Sequence, residues 1–332
     1  MTEESSAVSV FLDARKARDF GIGTYVTQLA RALAKRDDIR LTALVLPGDE
    51  ELLPANLSLL RSRAPHYSLR ELAAVRLAFT TSGAEVLHAP HYVVPLGPPK
   101  APVVTIHDLM HLNRPEHRRV SKRTYARVMM RRAVDLAARI LVGSAATRDE
   151  ILAFAPESGP KVRLVPFGVD QRFRPDVPDA EKARVRSAYG LALPFVLFLG
   201  NDKPHKNLDG LLDAFALHRG GASGVDLVLA GGSADRREDR RLAIERRGLA
   251  GAVHDVGVVP EGDVGPLVAA ASVLALPSFA EGFGMPAQEA QAAGVPVLCS
   301  DRGGLVEAAG DAAVFVKPES PSAIAEGLSR LL

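Results

Sequence analysis

Two carboxylates, Glu281 and Glu289, stand in the stretch Phe279-Ala-Glu-Gly-Phe-Gly-Met-Pro-Ala-Gln-Glu289. The stretch follows an apolar run ending at Pro277 and opens a helix, with Pro286 expected at the first helical position. Gly282 and Gly284 carry no Cβ, so backbone N–H groups can close on an anion at the helix start. At this spacing the carboxylates can accept hydrogen bonds from hydroxyls at opposite ends of one ligand. A sugar and a ribose flanking a diphosphate would fit. Acidic residues in a capped first turn would also satisfy the helix dipole without any ligand. Two glycines and a proline around both carboxylates favour the site.

A second loop, Gly200-Asn-Asp-Lys-Pro-His-Lys-Asn207, separates a strand from a helix. Lysine near a helix N-terminus is electrostatically misplaced unless an anion lies between them, and a phosphate at Lys206 resolves the conflict. Lys203 reads as a flexible surface residue. In the first half, Arg18-Asp-Phe-Gly-Ile-Gly-Thr24 is similar to the dinucleotide fingerprint, but Val26 replaces its third glycine. Gly21 and Gly23 therefore serve either close backbone approach to a ligand or an ordinary turn. His88, His91, His107, Asp108 and His111 could ligate a metal. They lie in loops that need not converge, so no metal site is expected. His107, at a strand end, is the one placed at a ligand.

These loops need elements to hold them. Short apolar runs alternate with helical patterns, as in βα units around parallel sheets. Strands are predicted at Val8–Asp13, Leu41–Leu46, Glu85–His88, Val103–His107, Ile140–Gly143 and Val162–Pro166. Helices are predicted at Thr24–Lys35, Val120–Ala138 and Ala145–Phe154, the last capped by Ser144. Residues 171–190 read as a linker, opening on an aperiodic stretch with Pro175 and Pro178. The alternation restarts with strands at Phe195–Leu199, Asp226–Ala230, Val256–Val259, Val273–Leu276, Val295–Cys299 and Ala313–Val316. The fold class is α/β: two doubly wound domains, residues 1–170 and 191–332, facing across a cleft, with ligands at the strands' carboxyl ends.

Composition narrows the function. The 332 residues are 47% hydrophobic and 24% charged, which marks a globular chain. With no Trp and 5% aromatic residues, a stacking platform for single-stranded nucleic acid is not expected. A single cysteine, Cys299, suits a reducing compartment. The first residues carry no signal-peptide pattern and no apolar run suits a bilayer span, so the expectation is a cytoplasmic protein. Residues 1–170 hold 24 Lys+Arg against 18 Asp+Glu, and nine of those basic residues fall between Arg114 and Arg139. That segment is either the solvated face of a helix buried through Val120, Tyr125, Val128, Leu136 and Ile140, or a surface for anionic lipid or a phosphorylated acceptor.

Together these motifs resemble the retaining, nucleotide-sugar-dependent glycosyltransferases of the GT-B fold, family-four (group 1) type, nearly end to end. The strongest element is Glu281-x7-Glu289 followed by Ala-Gln-Ala-Ala-Gly-Val-Pro-Val. Gly21–Tyr25, Thr105–Asp108, Val165–Asp170 and Pro204–Asn207 support it in the right order. The resemblance implies that Glu289 holds the ribose hydroxyls and Lys206 the diphosphate. Glu281 and the backbone at Gly282, Phe283, Gly284 and Met285 would hold the donor sugar. His107 would approach that sugar, the amides near Gly21 and Gly23 would close on the phosphates, and Gly257, Val258 and Val259 would flank the base. Asn201 stands where many members carry arginine, and His205 where close relatives often do.

The implied chemistry is transfer of a hexose, mannose or a related sugar, from a GDP- or UDP-sugar to a glycan, lipid or other acceptor. Retention of configuration and independence of cofactor and metal belong to the same implication. A preorganised Lys206, a helix dipole and loop amides would stabilise the departing diphosphate. An epimerase of the same architecture and a non-catalytic nucleotide-sugar binder are the alternatives. The last helix, begun at Ser320-Pro321 and striped by Ile324, Leu328 and Leu331, is expected to stay on the second domain, with no helix crossing back to the first.

Overall fold

Runs of valine, leucine and isoleucine bounded by polar turns form the strands. The computed structural model describes residues 7–113, 120–221 and 224–332. The chain divides into two units, Met1–Phe167 and Gly168–Leu332. In the first, seven parallel strands run β1 (Val8–Asp13), β2 (Ile39–Val45), β3 (Ser58–Arg61), β4 (Val86–Ala89), β5 (Val103–Thr105), β6 (Arg139–Val142) and β7 (Val162–Leu164). Their order is β3-β2-β1-β4-β5-β6-β7. Helices α1 (Phe20–Leu33), α2 (Leu69–Ser82), α3 (Met110–Asn113), α4 (Val120–Leu136) and α5 (Ala145–Phe154) connect them. Phe11, Leu12, Leu44, Leu87 and Ile140 are fully buried, as expected of parallel strands covered on both faces.

The second unit opens with α6 (Asp179–Ala188) and alternates β8 (Phe195–Gly200), α7 (Leu208–Gly221), β9 (Asp226–Gly231), α8 (Arg237–Arg246), β10 (Val253–Gly257) and α9 (Glu261–Ala269). It continues β11 (Val273–Leu276), α10 (Met285–Ala292), β12 (Val297–Ser300), α11 (Gly304–Ala309), β13 (Ala313–Val316) and α12 (Pro321–Leu331). The sheet order is β10-β9-β8-β11-β12-β13. Strand order reverses between β1 and β4 in one sheet and between β8 and β11 in the other. Such switch points open a crevice at the carboxyl edge of a sheet.

Several expectations need correction. Residues 171–190, read as a linker, fall within the second unit and carry a helix, Asp179–Ala188. Phe173, Val177 and Val185 are buried in the second unit, and Arg184 and Tyr189 both bond Asp263 of α9. The strand expected at Val256–Val259 lies earlier, at Val253–Gly257, because His254 pairs with Asp226 of β9 at 3.0 Å and so tolerates a half-buried edge position. β3 and α2 were not anticipated. Helix α1 starts at Phe20, so Gly21 and Gly23 lie in its first turn.

In α4 Tyr125 and Leu136 pack against the core as expected, beside the buried Ala126, Met129, Met130, Ala133 and Val134, while Val128 is 57% exposed and the Val120 side chain lies outside the described residues. Ile140 belongs to β6, and residues 114–119 of the basic segment lie outside the described residues. Helix α12 is capped by Ser320 Oγ on Ala323 N–H at 3.2 Å and packs on α7, with Ile324 and Leu328 fully buried in the second unit's core. Among the described residues no helix is long and apolar enough to cross a membrane.

Candidate active site

The second unit's switch point is built from the loops after β8 and β11. After Gly200 the chain forms a tight turn over Pro204–Lys206, and Asn207 adopts a left-handed conformation, φ +57°. Asn tolerates that region, and its side chain makes the turn useful. Nδ2 donates to the carbonyls of Pro277 at 2.9 Å and Pro318 at 2.7 Å. Phe279 N–H donates to the His205 carbonyl at 2.7 Å. The two loops are thereby stitched together. Lys206 Nζ lies 2.6 Å from Glu281 Oε1, with the two side chains 12% and 10% exposed. Ser278 Oγ donates to the same carboxylate oxygen at 2.8 Å, and Ser300 Oγ fixes the Ser278 carbonyl at 2.5 Å.

The glycine-rich turn has a backing of its own. Gly304 N–H donates to the Glu281 carbonyl at 3.1 Å. A Cβ on Gly304 would fall 2.3 Å from the Gly282 carbonyl oxygen, and one on Gly303 2.8 Å from that of Glu281. Only glycine permits this approach. Gly284 caps α10 with φ +103°, Met285 is its first residue, and Pro286 sits second, one place later than expected. Phe283 is buried beside them. The turn therefore holds Gly282 to Met285 at the positive end of α10.

Glu289 lies one turn into α10, half-buried. Burial pushes its carboxyl up to about 7, with Arg172 pulling it down and Asp170 pushing it up. Arg172 is held by Glu261 at 2.8 Å. A carboxyl so placed favours hydroxyl donors that would stabilise its ionised form. Gly257 ends β10 with φ +68°, Val258 beyond it is 72% exposed, and Val259 packs against the core. Asn201 Oδ1 accepts from Lys203 N–H at 3.2 Å. Below this edge, Arg240 is 6% exposed and bridges Asp202 at 2.6 Å and Asp255 at 2.9 Å. It locks the loop after β8 to β10.

The remaining expected residues lie in the first unit. A Cβ on Gly23 would fall 2.4 Å from the Ala17 carbonyl oxygen, so its small size serves close packing of α1 on the loop after β1. His107 follows β5 and lies edge-on to Tyr25 at 5.0 Å. Its Nε2–H donates to the Pro90 carbonyl at 3.0 Å. Burial holds its pKa below the usual value, so the neutral ring keeps Nδ1 as an acceptor suited to a hydroxyl. His88 bonds Thr105 Oγ1 at 2.9 Å and burial lowers it to about 4. Among the described residues no three His, Cys, Asp or Glu side chains gather as a metal site.

Sequence reasoning brought Lys206, Glu281, Gly282 to Met285 and Glu289 to one unit's switch point. It missed Ser278, Ser300, Gly303, Gly304 and the Asp202–Arg240–Asp255 bridge. The paired glycines two residues beyond β12 were the readable signal. The serines and the bridge depend on contacts across the sheet, which spacing does not reveal.

Comparison with known proteins agrees with this layout. Residues 179–332 match the model of the glycosyl transferases group 1, and residues 21–173 that of glycosyltransferase family 4. The chain is 31% identical over 241 residues to O-antigen chain mannosyltransferase B of Escherichia coli, covering 72% of this chain and 63% of that protein. It is 36% identical over 187 residues to a D-inositol 3-phosphate glycosyltransferase of Salinispora arenicola, covering 52% and 42%. It thus spans less than two thirds of either relative. The crystal structure of Anabaena HepE in complex with UDP-glucose superimposes with a TM-score of 0.75 at 19% identity, covering 97% of this chain and 88% of that one. The chain belongs to the group 1 glycosyl transferases, with the two parallel-sheet domains of the GT-B fold.

Proposed function

We propose that the protein transfers a hexose from a nucleoside-diphosphate sugar to a hydroxyl of a glycan, lipid or other acceptor, with retention of configuration and without a metal ion. The carrying observation is the Lys206–Glu281 pair, 2.6 Å apart at the β8/β11 switch point beside the Gly282–Met285 turn. Such a pair would offer a cation to a diphosphate and a carboxylate to the hydroxyls of its sugar. Breaking the bond between anomeric carbon and phosphate oxygen leaves positive charge on the sugar and negative charge on the diphosphate. Lys206 and the turn's amides would take the latter, each such donor being worth about 10²–10³-fold in rate. The acceptor oxygen bonds the anomeric carbon on the face the phosphate leaves, and its proton passes to the departing phosphate. Glu289 would hold the ribose and His107 a sugar hydroxyl. The UDP-glucose complex of HepE supports a nucleotide-sugar donor, and the mannosyltransferase relative supports mannose.

Helix α4 exposes Arg123, Arg127, Val128 and Arg131 along one stretch, which supports peripheral contact with anionic lipid as part of this reading. Thermal shift against a panel of GDP- and UDP-sugars, followed by product analysis, tests the proposal. Free nucleoside diphosphate with a glycosylated acceptor is the expected product. A C2-inverted sugar would make the protein an epimerase, and binding with neither product would make it a non-catalytic binder.

A further inference from the structure

Loops after β1, β3 and β4 of the first unit meet around one ring, that of Tyr67. Tyr67 precedes Ser68, the N-cap of α2, and holds φ +61°, a left-handed conformation that disfavours bulky side chains. Its neighbours maintain that conformation. Tyr67 N–H donates to Glu71 Oε2 at 2.5 Å. Lys16 Nζ reaches the Tyr67 hydroxyl at 3.3 Å and lies 4.9 Å from the ring centroid. Tyr67 is nevertheless 50% exposed, with Tyr125 and His91 edge-on to its ring at 6.1 and 6.3 Å. Strain held by a buried carboxylate for the sake of an exposed ring is the pattern of a ligand clamp.

The charges beneath the ring decide what ligand suits it. Arg15 is 3% exposed and donates Nε and Nη2 to Asp13 at 2.7 and 2.6 Å, with Glu71 3.2 Å from Nη2. Lys16 pairs with Asp19 at 2.8 Å. Among the described residues three carboxylates thus face two cations, so an anion meets no surplus positive charge from them. Among the described residues the buried Arg15 Nη1 and Tyr125 Oη have no hydrogen-bond partner, which leaves polar capacity in the cluster. An aromatic face beside compensated charges suits an uncharged, hydroxyl-rich ring. The place is right as well, because β1 and β4 flank the first sheet's switch point.

We propose that Tyr67 is the stacking platform for the acceptor and that the acceptor presents a neutral sugar there, not a phosphorylated one. This inference rests on the transferase reading above.

Saturation-transfer NMR with methyl glycosides of mannose, glucose, galactose and N-acetylglucosamine, and with their 6-phosphates, tests it without turnover. At least one neutral glycoside should bind better than its phosphate. Tyr67→Gly removes the ring while relieving the positive φ. It should abolish that signal and raise the acceptor KM about tenfold, with nucleoside-diphosphate binding and melting temperature held. Tyr67→Phe should keep the binding. Tighter binding of the phosphates, no binding by any glycoside, or wild-type behaviour of Tyr67→Gly would overturn the proposal. Failure of nucleoside diphosphates to bind would count against the transferase reading instead, so the two failures are distinguishable.

Discussion

Lys206 and Glu281, 75 residues apart in the sequence, form a 2.6 Å ion pair where the sheet changes direction. Each follows a strand at the switch point, and each is fixed by contacts that sequence spacing does not show. The pair holds the lysine ready while neutralising its charge in a mostly buried setting. Lys206→Ala should lower kcat/KM by about 10²-fold or more, since a charge-assisted bond to the leaving group is lost where charge develops. Full activity at saturating donor would reject the role. Glu281→Ala should mainly lower turnover, with binding of free nucleoside diphosphate retained.

Glu289 gives a pH signature. Its folded pKa of about 7 lies above the ordinary 4.5, so the native state binds more protons than the unfolded chain between those values. Stability from the neutral carboxyl is present below the unfolded pKa and lost as pH rises through about 7. Glu289→Gln should flatten that decline in melting temperature. If ribose hydroxyls bind the ionised carboxylate, nucleoside-diphosphate affinity should rise about tenfold from pH 6 to 8 relative to Glu289→Gln. Parallel profiles for the two proteins would remove Glu289 from the ribose site.

The glycine backing of the Gly282–Met285 turn is a sharper test of the geometry. Gly304→Ala forces a Cβ to 2.3 Å from the Gly282 carbonyl oxygen. Overpacking of this kind costs about 1–3 kcal/mol, so the melting temperature should fall and donor binding weaken together. Unchanged donor affinity would mean that the turn does not carry the ligand.

How far the sequence foretold this site depends on the kind of contact. Both sheets, the parallel order and the Glu281–Glu289 turn follow from local apolar runs and glycine chemistry. Ser144 and Ser320 cap α5 and α12 as their positions imply. Ser68 and Glu71 carry the same kind of signal for α2, with Ser68 Oγ accepting from Glu71 N–H at 3.1 Å, yet the weak stripe of Leu72, Val75 and Phe79 hid the helix. The Val253–Gly257 strand was misplaced because His254 and Asp255 interrupt its apolar pattern, and their partners, Asp226 and Arg240, lie in other elements. The role of Gly23 was ambiguous for the same reason: its constraint is the Ala17 carbonyl, visible only after folding.

Arg240 offers a stability test separate from chemistry. Arg240→Met leaves Asp255 without its cation and Asp202 with only Arg236, 3.9 Å away, and breaking such a pair costs about 3–5 kcal/mol. The second unit's thermal transition should fall steeply. A change within a degree or two of wild type would mean that water compensates the bridge.

Metal removal bears on the proposed charge stabilisation. With Lys206 and backbone amides taking the developing charge, activity should survive excess EDTA. Loss that a divalent ion restores would move that role to a metal.

The central claim is sugar transfer coupled to release of the nucleoside diphosphate. Its most direct measurement is a time course of nucleoside diphosphate and glycosylated acceptor, by mass spectrometry, with the donor that gives the largest thermal shift. The two products should appear in equal amounts, dependent on acceptor and lost in Lys206→Ala. Donor consumed without any glycosylated product, or product formed equally well by Lys206→Ala, would contradict the account.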